Sequence, residues 1–330
     1  MALGGEKEME MIRLGRSEIE ISRLGMGTWA IGGGPAWGDR DEEQCIETIV
    51  QAPEKGINLI DTAPAYNFGN SERILGKALQ RMDRSKVRII TKCGIVWDRK
   101  GSLFNKVGDV QLYKNLSADS LRREVEDSLK RLGTDYIDVY MTHWQSVEPY
   151  FTPIQETMGE LMKMKEEGLI RAVGAANVTV DHIRQYLSFG ELDVVQGKYS
   201  ILDRQAEEEL IPFCCENGIT FQAYSPLEQG LLSGRYKKDY VPKASQSGKK
   251  WFQKENMGRV IDMLETWEPL CEKYKCTKAD LALAWLMGQG DYINVLTGCS
   301  KVEQLEENAR ALSVKLEKND IDWLRKVSEI

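Results

Sequence analysis

Four side chains capable of proton chemistry each follow closely on a short apolar run. Asp61 comes after Leu59-Ile60 and Tyr66 stands one turn later, while Lys92 follows Ile89-Ile90-Thr91 and His143 follows Val139-Tyr140-Met141-Thr142. These types suit a proton donor better than a nucleophile. An unperturbed phenol has a pKa of about 10, and a nearby ammonium lowers it by stabilising the phenolate. Lys92 supplies the ammonium, Asp61 holds it by an ion pair, and His143 either orients a carbonyl oxygen or shares its proton. Such an assembly protonates an oxygen as charge develops on it, which suits reduction of a C=O group by hydride. A lysine at a strand end also suits Schiff-base chemistry, so an aldolase-type reaction at Lys92 is the competing enzymatic reading.

The elements that must position these residues follow one rhythm. Ile57 to Ile60 is too short for a helix and follows Gly56, and Pro64 pushes Ala63 to an extended conformation, so Asp61 ends a strand. Eight such units alternate strand and helix: Leu24 to Gly27 with Glu42 to Lys55, Ile57 to Ile60 with Ser71 to Arg81, Val87 to Thr91 with Ala118 to Leu132, and Tyr136 to Met141 with Pro153 to Glu167. Ile170 to Gly174 then precedes Val180 to Leu187, and Leu192 to Val195 precedes Ala206 to Asn217. Ile219 to Ala223 precedes a polar insertion and Lys278 to Met287, and Ile293 to Thr297 precedes Val302 to Ala311. Unbroken apolar strands in this alternation predict a parallel (β/α)8 barrel of the TIM type, with an N-terminal β-hairpin over Met11 to Ser22 and an extra C-terminal helix. A doubly wound sheet is the alternative, but no G-x-G-x-x-G follows the first strand. Pro53 falls inside the first helical pattern and should kink or shorten it. In a barrel the strand C-termini share one mouth, which gathers Asp61, Lys92 and His143 with Asn177, Gln196, Tyr199, Tyr224, Ser225 and Gly298.

Composition narrows the function classes. The 330 residues carry a formal charge of -7 with no basic run, which argues against a nucleic-acid or anionic-membrane surface. The apolar runs are too short to span a bilayer. Residues 1–10 read as a disordered leader without targeting character, residues 11–330 as one domain, and the protein as cytoplasmic. Seven cysteines without C-x-x-C spacing suggest neither disulfides nor a zinc ribbon, and two histidines leave little for a metal, so none is expected. His182 reads as a surface residue and Lys243 to Lys250 as a flexible loop tip.

The motifs resemble those of the aldo-keto reductase superfamily from Met11 to the C-terminus. The segment Gly56-Ile-Asn-Leu-Ile-Asp61-Thr-Ala-Pro-Ala-Tyr66, followed by Gly69-Asn70-Ser71-Glu72, resembles the family's Asp and Tyr signature. Ile89-Ile-Thr-Lys92 resembles its lysine strand and Asp138-Val-Tyr-Met-Thr-His143-Trp144 its histidine strand. The resemblance implies Tyr66 as general acid, Lys92 and Asp61 as its activating pair and His143 as the carbonyl-orienting residue. It further implies an NADP(H) site. Asn177 and Gln196 would hold the carboxamide, and Tyr199 or Tyr224 would stack on the nicotinamide. Ser225, Pro226 and Leu227, with Gln229, Gly230 and Leu232, would wrap the pyrophosphate. Gly298, Ser300, Lys301, Gln304 and Asn308 would take the adenosine end, and Gly27, Thr28, Trp29 and Asp61 complete the set. Ser300 and Lys301 at a helix start favour NADPH over NADH, since charge-assisted bonds to a 2′-phosphate form there. Ala176 stands where many members carry a serine before the asparagine.

The long third loop most resembles the bacterial branch that includes methylglyoxal reductases and relatives of potassium-channel beta subunits. The implied substrate is a small carbonyl or alcohol in a pocket walled by Trp29, Tyr66, Trp97, His143 and Trp144. A dinucleotide-sensing regulatory subunit is the non-enzymatic alternative, and a homo-oligomer is left open.

Overall fold

The computed structural model describes residues 10–242 and 246–330. The expected leader therefore lies outside the described residues except for Glu10, which pairs with Arg23 at 3.2 Å. Part of the expected loop tip at 243–250 lies outside them as well.

Thirteen strands are described: β1 (Met11–Arg13), β2 (Glu20–Ser22), β3 (Leu24–Gly27), β4 (Leu59–Asp61), β5 (Arg88–Cys93), β6 (Ile95–Val96), β7 (Ser102–Val107), β8 (Val110–Lys114), β9 (Ile137–Thr142), β10 (Ile170–Ala176), β11 (Val194–Lys198), β12 (Thr220–Tyr224) and β13 (Ile293–Gly298). The helices among these residues are α1 (Glu42–Gln51), α2 (Asn70–Leu79), α3 (Ala118–Leu132), α4 (Ile154–Glu166), α5 (Val180–Phe189), α6 (Leu210–Glu216), α7 (Lys254–Glu265), α8 (Glu268–Tyr274), α9 (Lys278–Met287), α10 (Val302–Arg310) and α11 (Lys318–Val327). Strands β3, β4, β5, β9, β10, β11, β12 and β13 pair in parallel and close into a barrel, which rules out the open doubly wound sheet. α11 is the extra C-terminal helix. Pro53 acts as expected: α1 stops at Gln51 and a 3-10 turn over Pro53–Lys55 ends on Gly56 at φ 82°.

Two apolar cores flank the barrel wall. One lies between strands and helices; α3, for instance, turns Leu121, Val125 and Leu132 inward at helical spacing and ends on Gly133 at φ 65°. The other fills the lumen with Leu59, Ile90, Val139, Met141 and Val194, and the β1/β2 hairpin closes its floor with Ile12, Leu14 and Ile21. The lumen is narrow: a Cβ at Gly174 would approach Met141 Cε to 2.7 Å and Val194 Cγ1 to 2.9 Å.

The strand period of two then dictates the mouth. Asp61, Lys92, His143 and Gln196 stand two residues beyond the lumen residues Leu59, Ile90, Met141 and Val194, so all four face inward one layer higher.

The structure adds what periodicity did not reveal. The long third loop is a three-stranded antiparallel sheet, β6-β8-β7, standing beside the mouth. The polar insertion after β12 contains α7 and α8. His182 is not idle surface: it sits at the third position of α5, where its Nδ1 accepts from the Thr179 N–H at 3.2 Å in a capping box.

One buried carboxyl supports the end of β5. Glu124 of α3 accepts from the Gly94 N–H at 2.9 Å and from Ser120 Oγ at 3.1 Å, and burial pushes its pKa up to about 8. The folded chain thus keeps a proton that the unfolded chain releases near the ordinary carboxyl value of 4.5. Its stability contribution is fully present below that value and is lost as pH rises through about 8. Glu124→Gln should flatten this dependence. In thermal melts between pH 5 and 8, the wild-type Tm should fall relative to the variant as pH rises; parallel curves would contradict the assignment.

Candidate active site

At the mouth, Lys92 is fully buried and its ammonium is completely partnered. Nζ donates to Asp61 Oδ1 at 2.6 Å, to the Thr62 carbonyl at 2.9 Å and to the Tyr66 hydroxyl at 3.3 Å. Burial disfavours its charge, but Asp61 and Tyr66 outweigh this and raise the Lys92 pKa, so it remains an ammonium. A Schiff base needs a free amine. The aldolase reading has no support in this geometry.

The loop carrying Tyr66 is pinned by hydroxyls. Thr28 Oγ1 donates to the Asp61 carbonyl at 2.8 Å and meets Ser71 Oγ at 2.7 Å, which in turn lies 2.9 Å from Thr62 Oγ1. Glu72, also buried, links Thr91 Oγ1 at 2.6 Å to Arg131 Nε at 2.5 Å and so ties α2 to β5 and α3. Burial pushes the Tyr66 phenol above its usual value; Lys92 pulls it down and Asp61 adds to the rise. The ammonium therefore does not bring the phenol below its ordinary value, as the sequence suggested, because burial outweighs it. The phenol is protonated at neutral pH, as a donor must be. His143 lies edge-on to Tyr66 with ring centroids 5.8 Å apart, and burial together with Lys92 holds its pKa well below the usual 6.5. A neutral imidazole can orient an oxygen through its N–H, but it has no proton to share as an acid.

The aromatic wall is less uniform than expected. Trp29 is 42% exposed and lies 6.4 Å from the Tyr66 ring, with Trp37 edge-on behind it at 5.2 Å. Trp97 packs instead on Phe68 at 5.4 Å, and Trp144 packs on Phe104 at 5.6 Å with Lys114 over its ring. Phe68 escaped the sequence reading; its place in the Tyr66 loop, two residues on, was the available signal.

The expected cofactor residues divide in the same way. Asn177 and Tyr224 meet at the mouth: the Tyr224 hydroxyl donates to Asn177 Oδ1 at 2.9 Å, while Asn177 Nδ2 donates to the His143 carbonyl at 3.0 Å. Gln196 donates to Asp61 Oδ2 at 2.9 Å and to Gln222 Oε1 at 2.5 Å, and its own side-chain oxygen has no hydrogen-bond partner among the described residues. Tyr199 is not at the mouth. It is 1% exposed, packs on Phe221 and Trp285 and donates to Glu207, so Tyr224 is the ring available for stacking. The Thr28 hydroxyl is likewise committed to the hydroxyl cluster.

The loop after β12 has the character of a ligand cradle. Ser225, Glu228 and Gln229 have φ of 57°, 45° and 54°, a cluster of left-handed non-glycine residues. The buried Gln229 Oε1 has no hydrogen-bond partner among the described residues. Pro226, Leu227, Gly230 and the buried Leu232 shape the same loop. On the next unit, Gly27 of β3 pairs with Gly298 of β13, Ser300 N donates to Gln304 Oε1 at 3.0 Å, and the exposed Lys301 caps α10, which also carries Asn308. An unsatisfied acceptor, a free Gln196 oxygen and an open helix start fit a dinucleotide lying across the last strands. Among the described residues no group of three or more His, Cys, Asp or Glu could hold a metal ion, and no helix is long and apolar enough to cross a membrane.

Comparison with known proteins agrees with this geometry. The profile of the Aldo/keto reductase family matches residues 23–329. The chain is 61% identical over 322 residues to the NADH-specific methylglyoxal reductase of Escherichia coli (strain K12), covering 97% of this chain and 99% of that one. It is 35% identical to aldo-keto reductase YhdN of Bacillus subtilis (strain 168) over 90% of this chain and 87% of that one. Among solved structures, glycerol dehydrogenase AKR11B4 from Gluconobacter oxydans superposes with a TM-score of 0.88 at 30% identity, covering 97% of this chain and 95% of that one.

The electrostatics of the mouth can be read directly, because the chain has only two histidines. In NMR titrations of labelled histidine, His143 should stay neutral to a pH well below 6.5 and titrate below His182, which burial lowers less. Lys92→Met should move the His143 midpoint up and leave that of His182 in place. A His143 midpoint at or above 6.5 in the wild type would contradict the site described here.

Proposed function

The chain belongs to the aldo/keto reductase family and is an oxidoreductase, and from this premise we propose that it reduces small aldehydes and ketones with a nicotinamide cofactor, Tyr66 being the acid. The observation that carries this reading is the Tyr66 hydroxyl held 3.3 Å from a buried ammonium that Asp61 fixes in turn. Asn177, Gln196 and Tyr224 would hold the nicotinamide ring of a bound cofactor, which would supply the hydride. Tyr66 gives its proton to the carbonyl oxygen as negative charge gathers there, and Lys92 stabilises the phenolate left behind. The neutral His143 donates an N–H to the same oxygen and sets its direction. In reverse, the phenolate takes the proton of an alcohol. A dinucleotide-sensing subunit explains the site less well, since burying an ion pair against a phenol carries a desolvation cost that binding alone does not require.

For the substrate we favour dicarbonyls of the methylglyoxal type, because the relative at 61% identity is named for that activity and the aromatic pair Trp29 and Trp37 stands beside Tyr66. For the cofactor we favour NADH. The expectation of NADPH rested on Ser300 and Lys301, whereas the same relative is named NADH-specific. The start of α10 also faces a cleft lined by Glu43, Gln44, Glu47, Val302 and Glu303. Arg81 pairs with Glu43, but Glu47 and Glu303 have no ion-pair partner among the described residues. Their charge opposes a 2′-phosphate, while a ribose hydroxyl is a suitable donor to a carboxylate.

Two measurements test these readings. With a panel of small carbonyls and each cofactor, followed by loss of nicotinamide absorbance, kcat/KM should favour NADH by about tenfold or more, a difference of ~1.4 kcal/mol. A preference for NADPH would reject the cofactor assignment. Tyr66→Phe removes one oxygen and should lower turnover on the order of a hundredfold to ten-thousandfold, with cofactor binding nearly unchanged. Lys92→Met should behave alike. Retention of most of the wild-type rate by Tyr66→Phe would show that the proton comes from elsewhere.

A further inference from the structure

Beneath Asp61 the lumen is not apolar throughout. A chain of three amide side chains descends from the carboxylate to the barrel floor on the side of β11, β12 and β13. Gln196 Nε2 donates to Asp61 Oδ2 at 2.9 Å and to Gln222 Oε1 at 2.5 Å. Gln222 Nε2 donates to Asn294 Oδ1 at 2.7 Å. Asn294 Nδ2 donates to the Ser22 carbonyl at 2.8 Å and the Arg23 carbonyl at 3.1 Å, where β2 leads into β3. Gln222 and Asn294 are fully buried and Gln196 is 5% exposed.

The two ends of this chain determine its direction. Main-chain carbonyls only accept, so Asn294 must turn its NH2 to the floor and its oxygen upward. Gln222 must then offer its NH2 to that oxygen and its own oxygen to Gln196. Gln196 is left with its NH2 toward both Gln222 and the carboxylate, which also only accepts. Turning over any one amide would set oxygen against oxygen or NH2 against NH2 in a buried space, and each unsatisfied group there would cost about 1–3 kcal/mol. The ordinary ambiguity of amide orientation is thereby removed from both ends.

We propose that Gln222 and Asn294 are positioning residues for the proton-donating site, holding Gln196 so that one of its amide hydrogens always faces Asp61. The proposal rests on the assignment of Tyr66 as the acid. Asp61 then divides its charge between two donors, Lys92 on Oδ1 and Gln196 on Oδ2. Without the second donor the carboxylate would lean wholly on Lys92 and neutralise more of the ammonium's field. The charged and titratable groups facing Tyr66 are Lys92 on β5, Asp61 on β4, His143 after β9 and Tyr224 on β12. Of these, only Lys92 stabilises the phenolate by its charge. Weakening that field makes the proton harder to release, while the fold and the pocket walls stay as they are.

The test uses Gln222→Met, which keeps side-chain length, and Asn294→Leu, which removes the floor anchor. The readouts are the pH dependence of kcat/KM for alcohol oxidation, where the phenolate is the base, together with Tm and cofactor affinity. Gln222→Met should move the rising limb to higher pH by on the order of half a unit or more and lower turnover by roughly tenfold. Asn294→Leu should shift it the same way, and the double variant no further than Gln222→Met alone, since both act through one chain. Profiles that superimpose on wild type in both variants, with Tyr66→Phe inactive, would overturn the proposal and leave the function standing. A Tyr66→Phe that stays active would instead remove the function on which it rests. Should either variant fail to fold, hydrogen exchange of the Gln222 side-chain NH2 in the wild type decides: strong protection supports the chain and free exchange overturns it.

Discussion

The ion pair between Lys92 and Asp61, sealed from solvent at the top of the barrel lumen, is the constraint around which the rest of this structure is arranged. Removing two charges from water is expensive, and their attraction repays it only when the remaining hydrogen-bonding positions are filled. Here they are filled by the Thr62 carbonyl, the Tyr66 hydroxyl and Gln196 Nε2. Each neighbour has a further duty. Thr62 belongs to the hydroxyl cluster that fixes the loop after β4, Tyr66 carries the transferable proton, and Gln196 joins the carboxylate to the floor. The pair therefore ranks as a functional charge with a structural shell more than as a source of stability.

That shell is possible because the lumen is divided. Leu59, Ile90, Val139, Met141 and Val194 form a dry apolar half, and Gln196, Gln222 and Asn294 form a polar half on the adjoining strands. The apolar half keeps the local dielectric low, which strengthens every contact of the charged layer above it. The polar half supplies donors of fixed direction to the charged layer. The β1/β2 hairpin is needed by both, because it packs Ile12, Leu14 and Ile21 under the apolar side while the chain beyond it offers the Ser22 and Arg23 carbonyls to the other.

Much of this was legible in the sequence, since a parallel barrel writes its period plainly. The eight strand and helix units, the hairpin, the effect of Pro53 and the strand-end placement of Asp61, Lys92 and His143 could all be read from apolar runs and their boundaries. The balance of forces at Tyr66 could not, because it depends on how deeply the phenol is buried as well as on its neighbour. Tyr199 was taken for a mouth residue by its nearness to a strand end, but the side chain turns into the helix layer against Phe221 and Trp285. The sheet β6-β8-β7 was hidden by polar residues such as Asn105 and Lys106, which suit an exposed ribbon as well as a loop. Gln222 and Asn294 did leave a signal: each is an amide placed between apolar neighbours within a strand otherwise expected to be buried on both faces.

The two ends of the mouth are built on opposite principles. Around Lys92 each hydrogen-bonding group of the ion pair is satisfied within the chain, which suits a site that must protonate its substrate from a fixed geometry. After β12, by contrast, Ser225, Glu228 and Gln229 hold left-handed backbone and Gln229 Oε1 lacks a partner among the described residues. Such strain stays in place only where the surrounding structure over-determines it, and an unmet acceptor gains most when something binds. Tyr224 and Asn177 stand where the two halves meet, joined by one hydrogen bond and tied through Asn177 to the His143 carbonyl. Asn177 thus joins the loop side, through the Tyr224 hydroxyl, to the main chain of His143, whose ring lies edge-on to the Tyr66 acid held at the satisfied side.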